Sequence, residues 1–450
     1  MKLIKLFTNT RELDILIEVL QSFIHCYYFM IQRGENILYL AINVLGLLVF
    51  LAVGIIFSKN RKEINWRGVI TMVIFNLVLA WFLTSFSGGR AIVNGAAAGF
   101  NELMKIAYVG IEFALPSMVN VKQMDWFVSV LLPILMVVPL FDILTYIGIL
   151  PWVIKWIGRG LSFITGQPKF ESFFAIEMMF LGNTEALAVS SLQLKQINAK
   201  RNLTLAMMSM SCVTASIIGS YTQMMPGEYI LTAVPVNVIN ALIVVALLNP
   251  VKVSPEEDTI ATMKGSAMAE TEIGDVDANG HAKKEPFFSF LGDSILGAGR
   301  LILIIAANVI AFVALAALID KLLGLINPWL SLEHILGVIM YPLAWLMGLP
   351  HGEAFQFAQY MGTKLVTNEF VVMGQVTETI KDFAPHYKAV LTVFVTSFAN
   401  FSTVGMIIGC FKGIVDREKN DLISKNVGYM LLSGILVSLL SAAMVGLYVW

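Results

Sequence analysis

Residues 355–373 read FQFAQYMGTKLVTNEFVVM. The stretch is apolar enough for a membrane interior, yet Gly362, Lys364 and the pair Asn368-Glu369 interrupt it. Residues 173–190 read FFAIEMMFLGNTEALAVS and are broken at the centre by Gly182, Asn183, Thr184 and Glu185. The flanking Lys169 and Lys195 both read as cytoplasmic, so this segment enters and returns from one side. Backbone broken at membrane depth survives only where it is buried in protein or lines a wet cavity. The two stretches therefore predict two re-entrant helical hairpins around a polar site.

The rest of the chain agrees with a membrane setting. Of its 450 residues, 57% are apolar and 14% are charged, and the mean hydropathy is +0.77. A soluble domain carries about 25% charged residues. Too few polar side chains remain to cover a water-facing globule, so an integral membrane protein is implied and soluble enzyme folds are excluded. A formal charge of −1 leaves no basic footprint, and nucleic acid is not expected as a partner. Cys26, Cys212 and Cys410 are scattered without a CxxC, and the histidines are dispersed, so neither a metal site nor a cofactor is expected. No GxxxxGK[ST] supports ATP-driven transport.

Apolar runs predict about eight transmembrane helices, near 36–57, 67–86, 127–149, 203–224, 228–249, 291–323, 387–412 and 427–450. Each is long enough for a hydrocarbon core of roughly 30 Å. Three basic clusters set the orientation: Lys59, Arg61, Lys62 and Arg67; Lys195, Lys200 and Arg201; Lys412, Arg417, Lys419 and Lys425. All fit the cytoplasm if both termini lie outside. The chain divides into an N-terminal extension without assigned role (1–35), scaffold helices (36–165), and a first hairpin with transport helices (166–250). A polar cytoplasmic linker follows (251–286), flexible at its centre, then scaffold helices (287–340) and a second hairpin with transport helices (341–450). The extension reads as an interfacial helix or as sequence upstream of a true start at Met30.

The hairpins read as copies. Each carries Gly, then Asn, then Glu: Gly182, Asn183 and Glu185 in one, Gly362, Asn368 and Glu369 in the other. Each precedes a small-residue, hydroxyl-rich stretch expected to be helical, 209–216 (SMSCVTAS) or 396–403 (TSFANFST), and then one more span. The first starts inside and the second outside, which makes the repeat inverted. Inverted repeats with paired interrupted segments indicate a secondary transporter with its site near the midplane. Ionisable groups at that depth cost roughly 2.5–3.5 kcal/mol and are functional by default, which places Glu185 and Glu369 first. Their alternative is a helix-end cap, or a carboxylate paired with Lys364 or Lys195. Asn400 is the neutral candidate, since an amide both donates and accepts; interhelical packing is its alternative. Glu353 is placed at a turn near the surface, Glu171 and Glu177 near the base of the first hairpin. Asp142, inside the third span, is open between packing and function.

These residues resemble the concentrative nucleoside transporter family. Gly362-x-Lys364-x3-Asn368-Glu369-Phe370-Val371-Val372-Met373 follows that family's Gly-x-Lys-x3-Asn-Glu-Phe-Val-Ala-(aromatic or Met) signature, with Val372 in place of Ala. Phe398-Ala399-Asn400-Phe401-Ser402-Thr403 is close to its Phe-Ala-Asn-Phe-Ser-Ser, and Gly182-Asn183-Thr184-Glu185-Ala186 to its Gly-Gln-Thr-Glu-Ala. The resemblance, to the shorter bacterial eight-helix branch, runs from about residue 38 to the C-terminus. It implies a multi-pass homotrimer of the inner or plasma membrane, lipid-embedded, that takes up nucleosides by cation symport and is not an enzyme. It also implies that Asn183, Thr184 and Glu185 face the base and nearby groups. Glu369 and Asn400 would bind ribose hydroxyls, with Thr403 close by and Phe398 lining the site.

Two departures carry expectations. Asn183 stands where the family has Gln, one methylene shorter, which leaves room for a purine. Met178 stands where sodium-coupled members carry Asn, and a thioether is a poor substitute for an amide carbonyl around sodium. The expected coupling ion is therefore the proton, with Glu185 and Glu369 as candidate carriers. Sodium-coupled nucleoside symport and carriage of a related metabolite such as a nucleobase are the alternatives within transport. Outside it stand a nucleoside sensor and a two-carboxylate membrane hydrolase. The hydrolase is disfavoured because the glutamates sit in separate hairpins.

Overall fold

A computed structural model describes residues 37–122, 124–254, 256–258 and 286–450. The N-terminal extension 1–35 and most of the linker lie outside these described residues. Among the described residues there are helices and no strand. In chain order the first are α1 (Ile37–Ile56), α2 (Trp66–Thr84), α3 (Ser87–Ala114), α4 (Ile134–Tyr146) and α5 (Ile149–Thr165). The first hairpin is α6 (Lys169–Leu181) and α7 (Asn183–Val189), followed by α8 (Ala199–Met208), α9 (Ala215–Thr222) and α10 (Gly227–Leu248). Beyond the linker come α11 (Phe287–Gly324) and α12 (Leu332–Trp345). The second hairpin is α13 (His351–Val366) and α14 (Glu369–Val376), followed by α15 (Pro385–Val395), α16 (Phe401–Ile414) and α17 (Val427–Gly446).

Among the described residues, six helices are long and apolar enough to cross a membrane: Ile37–Ile56, Trp66–Thr84, Phe127–Tyr146, Gly227–Leu248, Phe287–Gly324 and Val427–Gly446. The predicted spans 203–224 and 387–412 are not continuous. The first is α8 and α9 with a non-helical break at 209–214, the second α15 and α16 with a break at 396–400. The hydroxyl-rich stretches thus lie largely on the breaks. Their Ser, Thr and Asn side chains offer the backbone partners that compete with a helical ladder. Helices α3 and α5 carry no predicted span because charged residues interrupt their apolar runs, Arg90, Glu102 and Lys105 in the first and Lys155 and Arg159 in the second. The buried positions of α5, Leu150, Ile154, Gly158 and Leu161, recur every three or four residues.

The core sits on α10 and α17, which pack against each other and are 83% and 67% buried across their spanning windows. Their sequences are apolar on all sides, as a buried helix requires. Asn240 Nδ2 donates across the pair to Ser441 Oγ at 2.9 Å. By contrast α11 is only 11% buried and exposes Leu303, Ile304 and Ile310. Ser294 Oγ on α11 donates to Asp142 Oδ2 on α4, so Asp142 is a packing contact between helices. Gly434 of α17 marks where both breaks close on the core. A Cβ there would lie 2.8 Å from Ala399 Cβ and 3.1 Å from Met210 Cβ.

The base of the first hairpin is held by an ion pair. Arg201 Nε and Nη2 donate to the two oxygens of Glu171 at 2.7 and 2.8 Å, with both residues buried. This bidentate geometry offsets the desolvation of both charges. Removing one partner strands the other. Arg201→Met is expected to destabilise the detergent-solubilised protein by about 3–5 kcal/mol, with Arg201→Met/Glu171→Met recovering most of that loss. Chemical unfolding followed by tryptophan fluorescence checks both.

Candidate substrate-binding site

The second hairpin breaks between α13 and α14, where Asn368 caps the new helix by accepting Val371 N–H at 3.1 Å. This places Glu369 in the first turn of α14, 4% exposed. Both carboxylate oxygens are engaged. Tyr221 Oη, from α9, donates to Oε1 at 2.9 Å. Asn400 Nδ2, from the second broken helix, donates to Oε2 at 3.2 Å. The carbonyl oxygen of Asn400 accepts Thr403 N–H at 2.8 Å and Thr403 Oγ1–H at 3.0 Å, and so caps α16. Glu369, Asn400 and Thr403 therefore meet in one buried cluster, as the motifs indicate. Phe398 lies in the same break, half-buried against the apolar core.

The first hairpin turns at Gly182, whose φ of 93° suits glycine. Asn183 opens α7, 3% exposed, and neither its Oδ1 nor its Nδ2 has a hydrogen-bond partner. A buried amide left unpaired costs about 1–3 kcal/mol, which a polar ligand offsets. Asn43 shares that condition but packs against Gly348 and Gly446, in the contact of α1 with α17. Thr184 Oγ1 donates to Glu185 Oε2 at 2.7 Å, and Glu185 is exposed. Helix α7 packs against α16, which brings the first hairpin tip to the helix that Asn400 caps. The sulfur of Met178, one turn before the tip, lies 3.3 Å from Ser209 Oγ, whose single proton also has Leu205 O within reach at 2.9 Å.

The structure decides against two alternatives and one placement. Lys364 does not pair with a carboxylate: its ammonium donates to Phe394 O and Ser397 Oγ, each at 2.6 Å. The backbone carbonyl of Lys195 accepts from Lys419 Nζ at 2.6 Å, and no ion pair joins Lys195 to Glu185 or Glu369. Glu177 is not at the hairpin base with Glu171. It accepts Ser190 Oγ–H at 2.7 Å and ties the two arms together. Tyr221 was not singled out from sequence. The available signal was a tyrosine inside an apolar helix, because a buried phenol needs a partner. Phe370 packs edge-on to Tyr221 at 5.0 Å, and Trp126 to Phe370 at 6.0 Å, which fixes the phenol's approach to Glu369.

Two hairpins and two broken helices, converging on a buried carboxylate, amide and phenol within an apolar helical body, define a membrane transporter. The comparisons make that specific. Family models described as the N-terminus and the C-terminus of Na+ dependent nucleoside transporters match residues 45–118 and 229–446. The purine nucleoside transport protein NupG of Bacillus subtilis is 45% identical over 413 residues, covering 92% of this chain and all of that protein. The nucleoside permease NupC of Helicobacter pylori is 26% identical, covering 90% of this chain and 97% of its own. The fold matches the structure of CNTnw in an inward-facing substrate-bound state, with a TM-score of 0.79 at 24% identity over 91% of this chain and 98% of that one. The chain belongs to the concentrative nucleoside transporter family. It is a multi-pass protein of the cell membrane, and it transports nucleosides.

The cluster yields a direct expectation. Both oxygens of Glu369 accept from donors, so an amide places its NH2 against one of them. Glu369→Gln therefore loses a charge-assisted bond, and Asn400→Ala removes both a donor and a helix cap. Each is expected to weaken nucleoside binding by about tenfold or more, at about 1.5–3 kcal/mol for a bond to a charged group. Radioligand binding to purified protein that still reaches the membrane checks this.

Proposed function

We propose that this protein concentrates nucleosides by proton symport and prefers purine nucleosides, acting as a homotrimer. The observation that carries the substrate assignment is the bonding of Asn400 and Tyr221 to Glu369. A carboxylate beside an amide accepts and donates in the pattern a ribose diol needs. Asn183, with Thr184 and Glu185, is the polar surface offered to the base, and Thr403 and Phe398 complete the wall. The shorter amide at Asn183 favours the larger base, and the 45% identical relative is named for purine nucleosides. The exposed apolar length of α11 supports contact with further subunits or lipid.

Proton coupling rests on Met178. Its sulfur lies 3.3 Å from the Ser209 hydroxyl, so a soft thioether occupies the place where a sodium cage needs an oxygen. Glu185 and Glu369 are the candidate carriers, one exposed beside the first hairpin tip and one inside the cluster. The drive is adequate: one charge moved through about 100 mV yields about 2.3 kcal/mol, which supports roughly 40-fold accumulation. Sodium coupling is the second reading. It is favoured by the hydroxyls around the first break, where Thr214 Oγ1 and Ser216 Oγ lie 3.0 Å apart and Thr214 also donates to Phe180 O at 3.3 Å.

Proteoliposomes with one gradient imposed at a time separate the two. An inward proton gradient is expected to drive inosine accumulation that a protonophore abolishes, with sodium replaceable by choline. Accumulation driven by sodium alone, at equal pH and clamped voltage, overturns proton coupling. Asn183→Gln is expected to shift the ratio of inosine to uridine uptake toward uridine; an unchanged ratio places base choice elsewhere. Deoxyribonucleosides are expected to compete less well than ribonucleosides, because a site built for hydroxyls penalises their loss.

A further inference from the structure

Lys364 is among the largest fully buried side chains, 1% exposed, and none of the ion pairs among the described residues involves it. An ammonium in that position is costly unless its surroundings compensate it. Three features do. Phe394 O, which it reaches at 2.6 Å, belongs to the last turn of α15, where orphan carbonyls gather the negative end of the helix dipole. The face of the Phe394 ring lies 4.5 Å from Nζ. Ser397 Oγ, also at 2.6 Å, is the third.

The serine extends the contact. Ser397 Oγ is 2.6 Å from Ser438 Oγ, and Ser438 Oγ donates to Gly434 O at 2.9 Å. An ammonium only donates, so the protons run one way: from Lys364 to Ser397, from Ser397 to Ser438, and from Ser438 to the backbone of α17. One charge thereby ties the second hairpin, the second break and the core helix together.

At the position counted back from the residue that precedes the second arm of each hairpin, the first half holds no charge. Met178 precedes the hairpin glycine Gly182 by four residues, as Lys364 precedes Asn368. Met178 meets the hydroxyl of Ser209, the first residue past α8; Lys364 meets that of Ser397, two residues past α15. Each sits on the first arm of its hairpin, about one turn before the tip, against a hydroxyl of the following break.

We propose that Lys364 is a tethered cation: a positioning residue that neutralises the end of α15 and so holds the 396–400 break, and with it Asn400, in register with Glu369. The second half carries its compensating cation on a side chain, where the first half presents a neutral thioether. The inference rests on the assignment of Glu369 and Asn400 to nucleoside binding.

Three variants test it on purified protein in detergent, with inosine binding and melting both measured. Lys364→Met keeps much of the volume and removes the charge. Lys364→Gln keeps a neutral donor. Both are expected to lose inosine affinity by about tenfold or more. In Lys364→Ala, small alkylammonium ions are expected to restore binding, while the neutral alcohols of equal size do not. Cation-specific rescue is not expected of a residue that only fills space. Inosine binding within about twofold of wild type in Lys364→Met or Lys364→Gln overturns the proposal. So does rescue by alcohol equal to rescue by amine, or no rescue by any amine in a Lys364→Ala protein that melts as wild type. If Lys364→Ala does not fold, the Met and Gln variants decide alone. Glu369→Gln in parallel separates the two levels. Full binding in that variant removes the site assignment, whereas its loss beside an indifferent Lys364 variant removes only the tethered cation.

Discussion

A helix that stops inside apolar surroundings leaves N–H and C=O groups that neither water nor lipid can satisfy. Much of this structure answers that constraint with side chains placed at the breaks. Asn368 accepts Val371 N–H and Asn400 accepts Thr403 N–H. Thr214 donates to Phe180 O and Lys364 to Phe394 O, while Asn237 on α10 donates to Thr396 O. One of the residues that make interrupted helices tolerable, Asn400, is also a member of the candidate site. Asn400 shows the economy of it: its oxygen caps a helix and its nitrogen faces Glu369.

The halves solve the problem unequally. The second is closed on itself, with Glu369 bonded to Tyr221 and Asn400. The first keeps an unpaired buried amide at Asn183, and Glu185 bonds its own neighbour Thr184. Groups already held in place lose little freedom when a ligand arrives, whereas unpaired ones gain a partner. Rigidity and unsatisfied bonding capacity are thus divided between the two hairpins, although Tyr221 shows that the first half also reaches into the cluster of the second.

How much of this was readable in sequence follows from the range of each interaction. The hairpins were legible because Gly182, Asn183, Glu185 and Asn368-Glu369 are polar or flexible residues in apolar runs, a purely local signal. The breaks at 209–214 and 396–400 were not. Ser and Thr lower hydropathy too little to split a span, Cys and Met keep it apolar, and helix termination there depends on bonds made elsewhere. Tyr221 escaped because its partner lies 148 residues away. The carboxylate pairing that stood as the alternative for Lys364 left out carbonyls at a helix end, which sequence patterns do not display. Helix α5 was missed for a different reason: Lys155 and Arg159 interrupt an otherwise apolar run.

Gly434 has a consequence for how such a chain can change over generations. Its missing side chain admits Ala399 from one break and Met210 from the other onto the same turn of α17. Two regions 189 residues apart in the sequence therefore share one atom's worth of space. A substitution that enlarges any of these three residues is felt by both partners, so they form a set that drifts together or stays fixed. Sequence change near Met210 is in this way constrained by what stands at Ala399, although the two lie in different halves of the molecule.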